Sequence, residues 1–280
     1  MEWDAVKGAR KYWKTFQTLK PRIIERLEQI LVGTKVSSRG RKRTTDLGII
    51  CDGLWHLSDS GIKMGSLADL LRIPRSTLFY YFNIIRNTNL MADMYKMIIS
   101  EYYEDHWPEY LITDSFTVKS IDGTEGTGRN PTDRGRRGIK VSLICDENRI
   151  TTAVHISGAN THDSKLLIPT HKDAFVEFDE IDCLADSAYV GKNYIPKIHD
   201  ESAMSLISKP KKMSNGKLSH ILTADQLDKL SYRNRIELLN GHIRRFRGVT
   251  IKYVKSIKSY RVLLFLSLLV ITCYQIFVSL

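Results

Sequence analysis

Cysteine is scarce and scattered: Cys51, Cys145, Cys183 and Cys273 are the only four in 280 residues, with no close pair and no histidine at zinc-ligand spacing. That excludes a disulfide scaffold and a Cys/His metal centre, and points to reduced thiols in a core, which suits an intracellular setting. The opening stretch MEWDAVKGARKYWK lacks the unbroken apolar segment of a secretory signal, so the chain is expected to stay in the compartment where it is made. Internal repeats and low-complexity tracts are absent as well. Long charge-free runs are confined to residues 262–280, VLLFLSLLVITCYQIFVSL, where Ser267, Thr272, Gln275 and Ser279 interrupt the apolar pattern. Its 19 residues would reach across a bilayer. A helix apolar on all sides is equally the core of a large domain, and burial, without a membrane, is the expectation here.

Negative charge is in deficit. Lys and Arg number 42 against 31 Asp and Glu, a net charge of +11 and a pI near 9.4. Such a balance suits a polyanionic partner, nucleic acid first, although it also serves plain solubility. With 42% hydrophobic residues the chain has material for one large domain or two modest ones.

Periodicity divides the sequence. Residues 1–44 read as a short helical start followed by a basic Gly/Ser segment, KVSSRGRKR at 35–43, an exposed linker or DNA-contacting arm. Residues 45–105 read as a helical region. Within it SLADLLRI at 66–73 forms a helix with Ser66 as cap, Pro74 ends it, and Ser76 caps a second helix, STLFYYFNIIRN. There Leu78, Phe82 and Ile85 face inward while Arg75, Thr77, Tyr80 and Tyr81 stay outside. This is helix-turn-helix anatomy, whose second helix enters the major groove; a plain helical hairpin is the bland alternative.

From about residue 106 to 280 the period changes. LITDSFTVKS alternates with period two, GIKVSLICDENRITTAVHISG reads as two strands around a polar turn, and EIDCLADSAY and AMSLISKP supply two more. Helices are expected over 163–175, 192–200 and 224–246. Three consecutive strands, then helix, strand, helix, strand and a closing helix give an α/β domain: a ribonuclease H-like mixed sheet flanked by helices.

Three carboxylates stand out. Asp114 interrupts an apolar strand, where a buried acid needs a compensating partner such as a metal ion. Asp186 lies at the carboxyl end of a hydrophobic strand, the place where sites form in such sheets. Glu237 sits on a helix with Arg233, Arg244 and Arg245 within two turns. Two acids on neighbouring strands and one on a helix beside them can hold a pair of Mg²⁺ ions, with Mn²⁺ as substitute, about 4 Å apart for in-line phosphoryl displacement. Asp122 in SIDGTEG rivals Asp114 as first acid, but it opens a Gly-rich loop rather than continuing a strand. Asp163 reads as a helix cap. Arg129, Arg134, Arg136, Arg137 and Lys140 form one basic group, Lys209, Lys211 and Lys212 a second, and Arg244, Arg245 and Arg247 a third, each able to bind phosphate.

Taken together these segments resemble the DDE transposases of bacterial insertion sequences, in the broad group that includes insertion sequences four and five, over residues 46–274. DSFTVKS resembles the first-aspartate strand, GTGRNPTDRGRRGIKVS the Gly- and Arg-rich loop after it, ANTHDSKLL the segment after the third strand, and ADSAYVG the second-aspartate motif. The glutamate motif matches through Arg233, Glu237 and a basic Arg244 in place of lysine; Leu230 stands where the family has tyrosine, and Tyr232 directly precedes Arg233 instead.

The resemblance implies metal-dependent cleavage and strand transfer at the ends of a mobile element. Asp114, Asp186 and Glu237 would hold two Mg²⁺ ions, and Arg75, Tyr80, Arg134, Arg136, Arg137, Lys140, Arg233, Arg244 and Arg245 would face DNA. Double-stranded DNA, as terminal inverted repeats and target, is the implied partner, with a homodimer on it. An inactive, domesticated DNA-binding descendant is the alternative.

Overall fold

The computed structural model describes residues 2–33, 45–189, 204–212, 214 and 216–279. The basic segment at 35–43 and the helix expected over 192–200 lie outside them. Among the described residues the chain begins with helices α1 (Glu2–Gly33), α2 (Leu47–Asp59), α3 (Met64–Leu70), α4 (Arg75–Asn87) and α5 (Leu90–Asp105). Strands β1 (Leu111–Ser120), β2 (Gly128–Arg129), β3 (Arg137–Asp146) and β4 (Thr151–Gly158) follow. Then come α6 (Leu167–Lys172), β5 (Ile181–Ala185), β6 (Met204–Ser208), α7 (Ala224–Ser231) and α8 (Asn234–Ile243). The chain closes with α9 (Arg247–Thr250), β7 (Ile251–Lys252) and α10 (Ile257–Ser279). They form two compact units, one of Met1–Tyr95 with Ile243–Leu280, the other of Lys96–His242.

The first unit is helical. Its opening helix is far longer than the short start expected, because Tyr12, Phe16, Leu19, Ile23, Leu27 and Leu31 keep a three-to-four spacing straight through Pro21. Tertiary burial of that stripe outweighs the helix-breaking tendency of one proline. The stripe meets α10 and α2. Every residue from 262 to 273 in α10 is buried, against α1, α2, α4 and α9. The helix is long and apolar enough to cross a membrane by length and composition, yet protein surrounds it over that stretch. Each large apolar side chain so buried contributes roughly 1.5–3 kcal/mol. The sequence places α10 with the sheet; it instead completes the helical unit, where Tyr95 Oη meets Thr272 Oγ1 at 3.3 Å and Ser267 Oγ donates to the Leu264 carbonyl at 2.7 Å.

Helices α2, α3 and α4 pack on one another, and Gly53 in α2 admits Leu71 and Leu78, whose methyl carbons lie 3.1 and 3.2 Å from where a Cβ would stand. The expected caps shift: α3 starts at Met64 after Lys63, and α4 starts at Arg75 after Pro74, so Ser66 and Ser76 lie inside the first turns. Tyr81, expected outside, is buried at 2% exposure, because it joins Leu78, Phe82 and Ile85 on the inner stripe.

The second unit is built on a mixed sheet. Its strands run β4–β3–β1–β5–β6, with the two-residue β2 beside the start of β3. The pairs β1/β3 and β3/β4 are antiparallel; β1/β5 and β5/β6 are parallel. Three strands of antiparallel meander followed by two parallel crossover strands is the ribonuclease H-like order. Sheet faces follow from alternation. Leu111, Cys183 and Ala185 point to one face, where Leu167 and Ile168 of α6 cover them. The opposite face carries Asp182, whose carboxylate holds Lys229 of α7 at 2.8 Å. A capping box between Thr223 and Gln226 starts α7.

The single helix expected over 224–246 is two, broken at Tyr232 and Arg233. Amides there bond to carbonyls three residues back, as in Arg233 to Leu230 at 3.2 Å, and Tyr232 turns aside to stack on Tyr110 at 5.8 Å between ring centres. The helix expected over 163–175 is likewise shortened to a 3₁₀ turn and α6.

Two features yield predictions. A Cβ on Gly248 would stand 2.1 Å from the Leu57 carbonyl oxygen, whereas one on Gly65 meets nothing within 4 Å. Gly248→Ala is expected to cost about 1–3 kcal/mol in urea unfolding, and Gly65→Ala to be neutral or stabilising by up to about 1 kcal/mol. Asp146, buried at the end of β3, accepts from Tyr103 Oη at 2.8 Å and from the Ile150 amide at 2.7 Å. Burial nevertheless pushes its pKa from 3.8 to about 7. The folded chain therefore keeps a proton there that the unfolded chain releases, so the contribution of Asp146 to stability is fully present below the ordinary aspartate range and is lost as pH rises towards about 7. Asp146→Asn should make that decline shallower; an unfolding midpoint that falls as steeply as in the wild type across the same interval would exclude Asp146 as a contributor.

Candidate functional site

The parallel pairing of β1 with β5 sets the site. Leu111 opposes Cys183 and Ile112 opposes Leu184; continued two residues, this register brings Asp114 level with Asp186. So continued, alternation turns both towards the sheet face opposite α6, and the charge of Asp186 acts on Asp114. Asp114 lies within β1, paired with Leu143 of β3, and is half-buried. Asp186 follows the last residue of β5, where its carboxylate accepts the Ser187 amide at 2.6 Å and its carbonyl accepts the Tyr189 amide. Asp122 lies beyond the end of β1 in an exposed loop.

Helix α8 covers this face. Arg235 at its start donates to the Glu147 carbonyl at 2.8 Å, and Ile236 and Leu239 are fully buried. Asn240, one residue further round the same stripe, donates through Nδ2 to Asp114 Oδ2 at 3.0 Å. Glu237 lies one turn before Asn240 but off the buried stripe, and its Oε1 is held by Arg233 at 2.7 Å. The structure thus brings Asp114 and Asp186 to neighbouring strand positions and sets Glu237 on the adjoining helix in an ion pair. Among the described residues no three acidic, histidine or cysteine side chains are yet gathered closely enough to hold an ion.

Electrostatics single out Asp114. Burial, above all, raises its pKa, the negative charges of Asp163 and Asp186 add to the rise, and the Ser115 amide and the Arg233 guanidinium oppose it. A carboxylate so placed is desolvated more than its neighbours compensate. The donors are hard oxygens, the charge of Asp186 acts on Asp114, and among the described residues the buried Oδ1 of Asn240 has no hydrogen-bond partner. These residues fit a Mg²⁺- or Mn²⁺-like cation better than a soft metal.

The remaining candidates separate. Lys140 is not an available surface cation: its ammonium pairs with Asp163 at 3.0 Å, and Ser115 Oγ donates to the same carboxylate oxygen. Alternation puts Ser115 and Lys140 on the α6 face, away from Asp114. Nor is Asp163 a cap, since the His162 ring takes that place by accepting from the Ser164 amide. Arg134, Arg136 and Arg137 are exposed on the loop into β3, Arg136 lying 3.8 Å from Asp133. Arg75 and Tyr80 are exposed on α4, the guanidinium of Arg75 lying 5.8 Å from the Phe79 ring centre. Arg244 and Arg245 are exposed in the first unit, just past α8. Asn240 was missed in the sequence; its one signal is a polar residue on a stripe otherwise marked by Ile236 and Leu239.

A structure of piggyBac transposase in a synaptic complex with hairpin DNA is similar in fold, with a TM-score of 0.50 and 10% identity over 96% of this chain and 75% of that one. The Mos1 transposase paired-end complex with the left transposon end aligns at a TM-score of 0.25 and 8% identity, covering 75% of this chain and 81% of that one. Among curated protein sequences none matches. The family described as "Transposase DDE domain" matches residues 108–273, more than half of the chain and the whole sheet. The chain belongs to that family of transposases.

Proposed function

We propose that this transposase cleaves and joins DNA strands at the ends of an insertion-sequence-type element of the four/five group, with Asp114, Asp186 and Glu237 as its acidic triad. The observation that supports this reading is the β1/β5 register, two residues before Asp114 and Asp186, together with the bond to Asp114 from Asn240 on the Glu237 helix. Two divalent cations held by those acids would activate water or a 3′ hydroxyl and stabilise the leaving oxygen. Arg233, now paired with Glu237, has the planar donor set to take a phosphate oxygen once the glutamate turns to the cations.

The helices α2 to α4 are proposed to bind the terminal repeats, α4 lying in the major groove with Arg75 and Tyr80 towards DNA. The exposed Arg134, Arg136, Arg137, Arg244 and Arg245 would hold the phosphate backbone. A dimer on DNA follows from the need to join two ends, and an intracellular, DNA-associated location from the substrate.

Incubating the protein with DNA that flanks its coding region tests the chemistry. Cleavage should require Mg²⁺ or Mn²⁺, and Asp114→Asn, Asp186→Asn and Glu237→Gln should each fall to the metal-free background while still shifting the DNA in a gel. A variant that cuts at the wild-type rate removes its residue from the triad. For the binding half, Arg75→Ala should weaken end binding and flatten the dependence of log K on log salt by about 0.9; an unchanged slope would mean that Arg75 does not touch a phosphate.

A further inference from the structure

Asn240 is 6% exposed, on a helix stripe where a leucine or isoleucine would bury without electrostatic cost. A buried amide with one side unanswered is destabilising, so its presence calls for an account. The carboxylate of Asp114 can only accept, hence the amide nitrogen must be the group facing it, at 3.0 Å. That orientation turns Oδ1 the other way, where no donor of the described chain reaches it. The same helix face therefore offers one satisfied donor, aimed at Asp114, and one open acceptor beside it.

We propose that Asn240 is a positioning residue for the cation site: its N–H fixes the rotation of the Asp114 carboxylate, and its free oxygen accepts from a hydrogen-bond donor that arrives with the hydrated cation. The proposal rests on the reading of Asp114 as a metal-binding acid. Asp114 on β1 has two oxygens and a rotatable χ2; Asn240 at Oδ2 and the Ser115 amide together fix the rotation in which the carboxylate would meet a cation shared with Asp186. A Mg²⁺-like ion keeps several of its waters, each with hydrogens to donate, and an open amide oxygen in the wall is the complement of such a shell. The ligand that Asn240 orients and the helix that carries Glu237 are thus coupled, since Glu237 and Asn240 are three residues apart on α8.

The test is Mn²⁺ binding to the full chain without DNA, read as loss of the free-ion electron paramagnetic resonance signal, together with urea unfolding of each protein. Wild type should bind and Asp114→Asn should not. Asn240→Ala and Asn240→Leu should bind about 10–100-fold more weakly while remaining folded, and the structural control Leu239→Ala, on the same stripe, should lose stability without losing Mn²⁺ affinity. Asn240→Leu, matched in size and apolar, carries the comparison if the alanine variant does not fold. Wild-type affinity in a folded Asn240 variant, with Asp114→Asn still silent, overturns the role of Asn240 and leaves the acidic site standing. Unfolding of both Asn240 variants also overturns it, by making the residue structural. Wild-type binding by Asp114→Asn would instead defeat the underlying metal-site reading.

Discussion

The parallel ladder between β1 and β5 is the constraint on which the site depends. Two backbone pairings, Leu111 with Cys183 and Ile112 with Leu184, decide where Asp114 and Asp186 stand relative to each other. A slip of one residue would send one of the acids through the sheet to the α6 face, because side chains alternate with period two. What resists that slip is burial on both faces: Leu111, Cys183 and Ala185 are locked under α6, and Asp182 on the other side is held by Lys229. The helices therefore secure a register whose functional result lies at the strand ends.

The acids of this unit are treated differently according to their partners. Asp163 and Asp182 each have a lysine at close range, and Glu237 has Arg233. Asp114 is more enclosed and receives an amide hydrogen, not a full positive charge. Burial is the main cause of its raised pKa, and the guanidinium of Arg233 works against it.

Much of this was legible in the sequence, for identifiable reasons. The strands around Asp114 and Asp186 are apolar runs with period two, and an acid inside such a run is conspicuous. The meander and crossover order followed from the spacing of those runs. Other features left weak traces. Gly128–Arg129 is too short for any period to mark it as a strand. Pro21 hid the length of α1, since the local tendency of proline gave no warning of the stripe that continues past it. The break between α7 and α8 depends on Tyr232 finding Tyr110, a contact more than a hundred residues away. Lys140 was grouped with its basic neighbours because charge runs look alike in one dimension; only strand alternation separates it from the exposed arginines. Asn240 is the reverse case, a buried polar group that composition cannot distinguish from an exposed one.

The helical unit is discontinuous: α1 to α4 precede the sheet in the chain, and α9 and α10 follow it. During synthesis the early helices emerge with their apolar stripes uncovered, and the segment that buries them is made after the sheet. The sheet unit, contiguous in sequence, has all its strands available before then, so its assembly can run ahead while the helices wait. Loop-closure entropy grows only slowly with the length of the intervening chain, so the delay costs little in final stability. It does mean that nascent chains stopped anywhere before residue 262 carry an uncovered greasy surface on α1 and α2, which makes them substrates for chaperones and for aggregation.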